Sequence, residues 1–164
     1  MKKVLAALLL TLSGVAGAAS DQAAVDIAKG NGKDTDQFGT FNFTAIDLDG
    51  DPSTVGAKGH VSYEFPIVPT FYFKGTVTCL QVATDPVSGQ RVATLSGPIE
   101  KTNVPEAEGS FFFIRVTDTG LPNGEGDTFT VSTFQAPICS QAQPELPSQI
   151  REGDILISDG TPPA

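Results

Sequence analysis

Several residue types are scarce in this 164-residue chain, and each scarcity weakens or excludes a class of site. There is no tryptophan and there are only two tyrosines, which weakens an interpretation as an aromatic platform for sugars. One histidine excludes a histidine-rich zinc site, and two distant cysteines do not supply a structural zinc site. The motifs G-x-S-x-G, G-x-x-x-x-G-K-[ST] and H-E-x-x-H do not occur. Few routes to a common catalytic centre remain, and we expect no cofactor.

Basic residues are also few, with ten Lys and Arg against nineteen Asp and Glu and a net charge of −9. A chain this acidic is repelled by nucleic acid and by anionic lipid, so we expect neither as a partner. Beyond the N-terminus no segment approaches the ~20 apolar residues of a membrane helix, so we expect no membrane insertion. The partner is then an unidentified ligand or protein, and the sequence leaves the oligomeric state open.

The N-terminus has the features of a bacterial signal peptide. Lys2 and Lys3 precede an apolar run over residues 4–12 that is too short to span a bilayer, and Ala16-Gly17-Ala18 supplies an A-x-A cleavage site. We therefore predict that residues 1–18 are removed and that the protein is secreted, either to the periplasm or outside the cell. Removal of the two lysines would leave a net charge of −11.

The predicted export bears on the oxidation state of the two cysteines. In an oxidising compartment Cys79 and Cys139 have only each other as intramolecular partners, which predicts a disulfide rather than two separate thiols. The bond would close a loop of about sixty residues and stabilise the fold by roughly 4 kcal/mol. A nucleophilic role for Cys79 is not favoured, because no nearby cation would lower the pKa of its thiol.

The most informative stretch runs from residue 70 to residue 82. Its alternation, with a period of two, predicts one half-buried β-strand. One face is apolar and includes Cys79, and the other is polar. The apolar face comprises Phe71, Phe73, Val77 and Cys79, and the polar face comprises Tyr72, Lys74, Thr76 and Thr78.

Similar segments recur along the chain, and no helical pattern appears beyond residue 18. Seventeen Gly and twelve Pro fit many turns, one of them at Gly30-Asn31-Gly32, and prolines make residues 136–153 irregular. We predict an all-β, antiparallel meander of seven or eight strands in one domain, residues 19–164, with a frayed tail over 160–164. A small barrel is preferred over a two-sheet sandwich, because closure removes exposed edges. The predicted strands cover residues 23–28, 38–46, 60–65, 70–82, 91–99, 109–118, 127–134 and 155–158.

His60 is the only residue that could serve a serine or cysteine triad. Ser62 and Glu64 share its face of the predicted strand, at ~7 Å and ~13 Å along it. Two interpretations stay open. His60 is a surface residue on a polar face and the eleven phenylalanines form the core, or His60 and Glu64 form a polar site at the mouth of a barrel cavity lined by phenylalanines.

Asp47, Asp49 and Asp51 resemble the start of a calcium-binding loop, because alternate carboxylates can wrap a hard cation. The pattern departs at two positions: Pro52 replaces the expected glycine, and Lys58 replaces the expected glutamate. The alternatives are a calcium site and an acidic turn held by Asx hydrogen bonds.

The order of several short motifs resembles the post-COAP domain family of bacterial secreted proteins. They are a Phe-Gly-Phe-Asn-like strand, Gly-His-Val, Gly-x-Val-x-Cys-Leu, Ala-x-x-x-Gly, Val-x-Asp-x-Gly and a closing Gly-Asp-Ile. The resemblance spans about residues 30–158 and departs at Thr119, where the family often has Asn. It implies a secreted all-β module and implies no activity. The motifs fall on residues 38–43, 59–61, 75–80, 93–97, 116–120 and 153–155.

These observations favour a secreted, non-catalytic binding or surface-associated module of unknown ligand. One alternative is a ligand carrier or small enzyme that uses His60 with a carboxylate in a barrel cavity. Another is an extracellular module stabilised by calcium.

Overall fold

The computed structural model describes residues 25–34, 39–48, 56–66, 70–139 and 148–160. They form nine β-strands, with two single turns of 3₁₀ helix at Pro105–Ala107 and Pro122–Gly124. No helix within these ranges is long and apolar enough to cross a membrane. The predicted signal peptide, residues 1–18, and residues 161–164 of the predicted tail lie outside the described residues. The strands are β1 (Asp26–Asp34), β2 (Thr40–Asp47), β3 (Lys58–Phe65), β4 (Phe71–Val77), β5 (Cys79–Thr84), β6 (Arg91–Thr102), β7 (Phe111–Asp118), β8 (Thr128–Phe134) and β9 (Ser148–Ser158).

The strands form one closed antiparallel barrel of eight strands with one extra strand. Chain neighbours pair from β1 to β4 and from β5 to β8, and β9 lies between β8 and β1. The barrel closes where β4 pairs with the end of β6, while β5 pairs with the first half of β6 and stands outside the ring. The predicted all-β meander and the preference for a barrel are thus confirmed.

Aromatic rings fill the barrel interior. The rings of Phe41 and Phe129 stack across the interior with centroids 4.2 Å apart, and those of Phe73 and Phe112 stack at 5.8 Å. Each buried phenylalanine contributes roughly 1.5–3 kcal/mol to the hydrophobic free energy of folding. These ring contacts also join strands that are distant in sequence. The predicted phenylalanine core is therefore present. Its largest fully buried members are Phe43, Phe73, Phe112, Phe129, Leu80, Leu95, Ile114 and Ile157.

The prediction of one continuous strand over residues 70–82 is wrong. The strand is interrupted at Thr78, whose backbone N–H donates to the carbonyl of Ser96 at 3.0 Å. At the same level a Cβ on Gly97 would overlap the carbonyl oxygen of Thr76, so only glycine permits this close approach of β6. The interruption inverts the alternation: Leu80, and not Cys79, enters the main core.

Cys79 is buried but lies outside the main core, so its predicted place on the core-facing side is also wrong. It pairs in register with Ser96, which is likewise buried outside the main core. The disulfide to Cys139 is present, with the two Cα atoms 6.1 Å apart, which confirms the predicted pairing. It connects β5 to the segment that follows β8.

Two further local predictions are wrong. Gly30-Asn31-Gly32 is not a turn, because β1 runs through it to Asp34. A Cβ on Gly30 would lie 2.8 Å from the ring of Phe43, so the glycine makes room for that ring. The last strand begins at Ser148 and not at Ile155, so the second half of the predicted irregular segment contains part of β9.

Candidate functional site

Outward side chains on five adjacent strands form a continuous, largely polar surface, which we call the polar face. It covers β9, β1, β2, β3 and β4, where alternate residues point away from the core. Its apolar members are Ile27, Ile46 and Leu156, at one end. The remaining members are Lys29, Asn31, Lys33, Thr40, Asn42, Thr44, Lys58, His60, Ser62, Glu64, Tyr72, Lys74, Thr76, Glu152 and Asp154.

Strand register aligns these side chains in rows that cross the strands. The middle row runs from Asp154 through Asn31, Asn42 and Ser62 to Lys74, with each residue directly opposite the next. Adjacent strands are about 4.8 Å apart, so the row extends over about 19 Å. Asparagine amides both donate and accept hydrogen bonds, and the serine hydroxyl does the same.

Two shallow depressions lie on the polar face and meet at Asn42. One, of about 330 Å³, extends over β2, β3 and β4 between Thr40, Glu64 and Lys74. The other, of about 250 Å³, extends over β9, β1 and β2 beside Lys29 and Asp154. Asn31, Asn42 and Ser62 line the centre, because the strand register places them next to one another on the middle row.

His60 and Glu64 both belong to the polar face, and both are exposed on β3. His60 is opposite Thr44 and Thr76, and Glu64 is opposite Thr40 and Tyr72. Both side chains point away from the interior, which the phenylalanine core fills. The geometry therefore matches the surface-histidine interpretation, and neither side chain lines the interior.

The predicted calcium residues are only partly described. Asp47 is buried at the end of β2, opposite Asp26 in register, and Asp49 and Asp51 lie outside the described residues. Within the described ranges, no group of three or more His, Cys, Asp or Glu is arranged to hold a metal ion. The two interpretations of this segment, an acidic turn and a calcium site, both stay predictions.

Buried acidic groups at two places have local electrostatic effects. Burial, together with the nearby carboxylates of Asp47 and Asp159, raises the pKa of Asp26 from 3.8 to about 6. The hydroxyl of Tyr63 donates to the Asp34 carboxylate at 3.4 Å, and burial and that carboxylate raise the pKa of Tyr63. Both sets lie on the core side of β1, so they act on stability and not on the polar face.

Two other depressions are less suited to a ligand. An apolar one at a barrel end, between Tyr63, Phe71 and Val131, has about 210 Å³, below the roughly 300 Å³ at which ligand pockets begin. A larger one of about 520 Å³ lies between the loops before β6 and after β7. Its charged groups hold those loops: Arg91 donates to the carbonyl of Ile157, and Asp118 accepts from two backbone amides.

The sequence interpretation missed most of the polar face. The sequence predicts a turn at Asn31, and nothing in it indicates that Asn42 and Ser62 lie beside that residue. Alternation shows which side of a strand a residue faces, but not which strands lie beside it. The middle row therefore cannot be predicted without the strand order. The available signal was the run of small polar residues at alternate positions of three strands.

Comparisons of the chain with protein-family models, with curated proteins and with solved structures find no match.

Proposed function

We propose that this protein is an exported, non-catalytic binding module that recognises its ligand on the polar face. The observation that carries the proposal is the middle row, where the exposed amides of Asn31 and Asn42 and the half-buried hydroxyl of Ser62 lie side by side on adjacent strands. The strands beneath them belong to a filled barrel. A rigid support of this kind lowers the entropic cost of binding, because little ordering is needed when the ligand arrives.

The surroundings of His60 favour binding over catalysis. Its cross-strand neighbours are the threonines Thr44 and Thr76, which offer neither a general base nor an orienting carboxylate. The adjoining depressions are open, so water has access to any ligand there. Recognition of a surface group requires neither a shifted pKa nor exclusion of water.

Export is supported by the N-terminal pattern and by the Cys79–Cys139 disulfide, since such bonds persist mainly in oxidising compartments. Membership of the post-COAP family belongs to the same proposal. The motif residues contribute to packing: Gly97 permits the close contact with β4, and Asp118 accepts the N–H of Ile157. Structural roles of this kind fit a resemblance that implies a fold without an activity.

The test places a bulky ring in the centre of the polar face. Asn42→Tyr should abolish binding, whereas Thr130→Tyr, at an outward position of β8 three strands away, should not. The purified protein without residues 1–18 is assayed by affinity electrophoresis against neutral and acidic polysaccharides and by co-sedimentation with peptidoglycan. Melting curves check that both variants fold. The proposal is wrong if wild type binds none of these probes or if both variants bind as wild type does.

A further inference from the structure

The lysines of this acidic protein are concentrated on one surface. Beyond Lys3 the chain has five lysines, and all five are exposed at outward positions on the polar face or directly beside it on β6. The only histidine, His60, belongs to the same surface. Since the whole chain carries a net charge of −9, this distribution creates a local contrast in charge. The five are Lys29, Lys33, Lys58, Lys74 and Lys101.

Four of the five lysines have no ion-pair partner among the described residues. Lys33 binds Glu152 at 2.7 Å, and that contact lowers the pKa of the Glu152 carboxyl. Lys74 is directly opposite Lys101 where β4 and β6 close the barrel. Like charges in this relation destabilise a sheet, so the pair costs stability when no anion is bound.

Carboxylates on the same surface limit the kind of anion that fits. Glu64, Glu100, Glu152 and Asp154 accompany the five lysines, so the surface carries about one net positive charge. Glu152 is paired with Lys33, and Glu100 accepts a hydrogen bond from Thr76 at 2.6 Å. A dense polyanion would be repelled by these carboxylates and by the negative field of the whole molecule. A ligand with widely spaced negative charges would not be repelled in this way.

The groups between the lysines are suited to hydroxyl-rich ligands. Asn31, Asn42 and Ser62 can donate and accept, as sugar hydroxyls require. Tyr72 is half-buried on the same face and presents a ring edge or face beside Lys74 and Glu64. The row of about 19 Å is long enough to contact several units of a polymer.

We propose that the polar face binds an acidic polysaccharide, a chain of sugars with spaced carboxylates. The chain lies across the strands, with carboxylates at Lys74 and Lys101 and hydroxyls on the asparagines and Ser62. This inference rests on the proposed function and adds the class of ligand. Charge complementarity with the lysines carries it, and the carboxylates of the face select against denser anions.

The test compares hyaluronate, whose carboxylates lie on alternate sugars, with neutral dextran by isothermal titration calorimetry at two salt concentrations. Wild type should bind hyaluronate, more weakly at higher salt, and should not bind dextran. The double variant Lys74→Gln/Lys101→Gln should lose about tenfold or more in affinity, and Lys74→Arg/Lys101→Arg should retain binding. Arg115→Gln removes a positive charge from β7, on the opposite side of the barrel from β2, and should bind as wild type.

Folding of the variants has its own readout. Because Lys74 and Lys101 repel each other, Lys74→Gln/Lys101→Gln should melt no lower than wild type even as it loses affinity. Loss of binding together with a lowered melting midpoint would overturn the assignment of the pair to ligand binding.

Other outcomes separate this inference from the proposed function. Binding of dextran and hyaluronate alike, blocked by Asn42→Tyr but unaffected by the lysine variants, would overturn the acidic ligand and leave the binding face intact. Equal binding of double-stranded DNA or anionic vesicles would also overturn it, since the lysines would then act as a general anion exchanger. Absence of binding to any probe would overturn both.

Discussion

At the scale of single residues, the fold depends on complementarity between glycines and aromatic rings. Gly30 faces the core, and the ring of Phe43 from β2 occupies the space that a side chain would take. Gly97 allows β6 to approach the carbonyl of Thr76 at the point where β4 ends. Glycine usually weakens a strand. Here that loss of stability is offset, because glycine at each of these positions permits a contact that no other residue allows.

Gly30→Val should therefore destabilise the barrel although valine favours strands. The new side chain would displace the fully buried Phe43 ring, and overpacking of this kind costs about 1–3 kcal/mol. The matched control is Asn31→Val, one residue along and outward, which should change the free energy of unfolding by less than about 0.5 kcal/mol. Urea denaturation measures both, and equal effects would contradict the packing explanation.

Asp26 should make stability depend on pH. Its pKa is about 6 in the folded protein and 3.8 without the fold, so the folded state retains a proton that the unfolded state releases between these values. The contribution of Asp26 to the unfolding free energy is fully present below about pH 4 and falls as pH rises from about 4 to about 6. The loss is on the order of 1 kcal/mol, since water screens part of the repulsion from Asp47 and Asp159.

Asp26→Asn removes the titrating group and should flatten the pH profile across this window. Thermal melts between pH 4 and pH 7.5 test it. A variant whose profile parallels that of wild type would show that another carboxyl is responsible.

At the scale of elements, a buried aspartate fastens the loop after β7 to the neighbouring strand β9. Asp127 is fully buried and accepts from the N–H and hydroxyl of Thr119, both at 2.9 Å, and from the N–H of Ile155 at 3.2 Å. Asp118 fastens the same loop through the N–H of Ile157. Two motifs that carry the family resemblance, around residues 118 and 154, thus meet at one place.

Asp127→Ala should cost about 2–4 kcal/mol, because it leaves the buried N–H of Ile155 and the part-buried N–H of Thr119 without this acceptor. The exposed neighbour Glu125 provides the control, and Glu125→Ala should be close to neutral. Hydrogen exchange of the Thr119 and Ile155 amides reports the local effect. Unchanged protection at both amides in Asp127→Ala would refute the proposed role.

At the scale of the whole molecule, closure depends on β6, which pairs with β5 along one half and with β4 along the other. The extra strand β5 lies beyond the ring, and the Cys79–Cys139 disulfide connects it to the chain that leaves β8. The crosslink spans 60 residues and encloses β5, β6, β7 and β8. It therefore limits the freedom of more than a third of the 164-residue chain in the unfolded state.

Reduction of this disulfide should lower the unfolding free energy by about 4 kcal/mol by the loop-entropy model. Cys79→Ala/Cys139→Ala should give a similar loss and should no longer respond to reductant. Denaturant titrations with and without reductant measure both effects. A double variant as stable as oxidised wild type would show that the crosslink contributes little.

The sequence by itself determined the all-β class, the outward and inward faces of most strands, the phenylalanine core and the cysteine pairing. These follow from local alternation, composition and cysteine number, which need no knowledge of neighbours. Only the tertiary structure decided that Gly30 lies within a strand, that the alternation inverts at Thr78, and that lysines from four strands share one surface. The physical reason is that strand order and register are set by distant contacts. The polar face exists only once those contacts close the barrel.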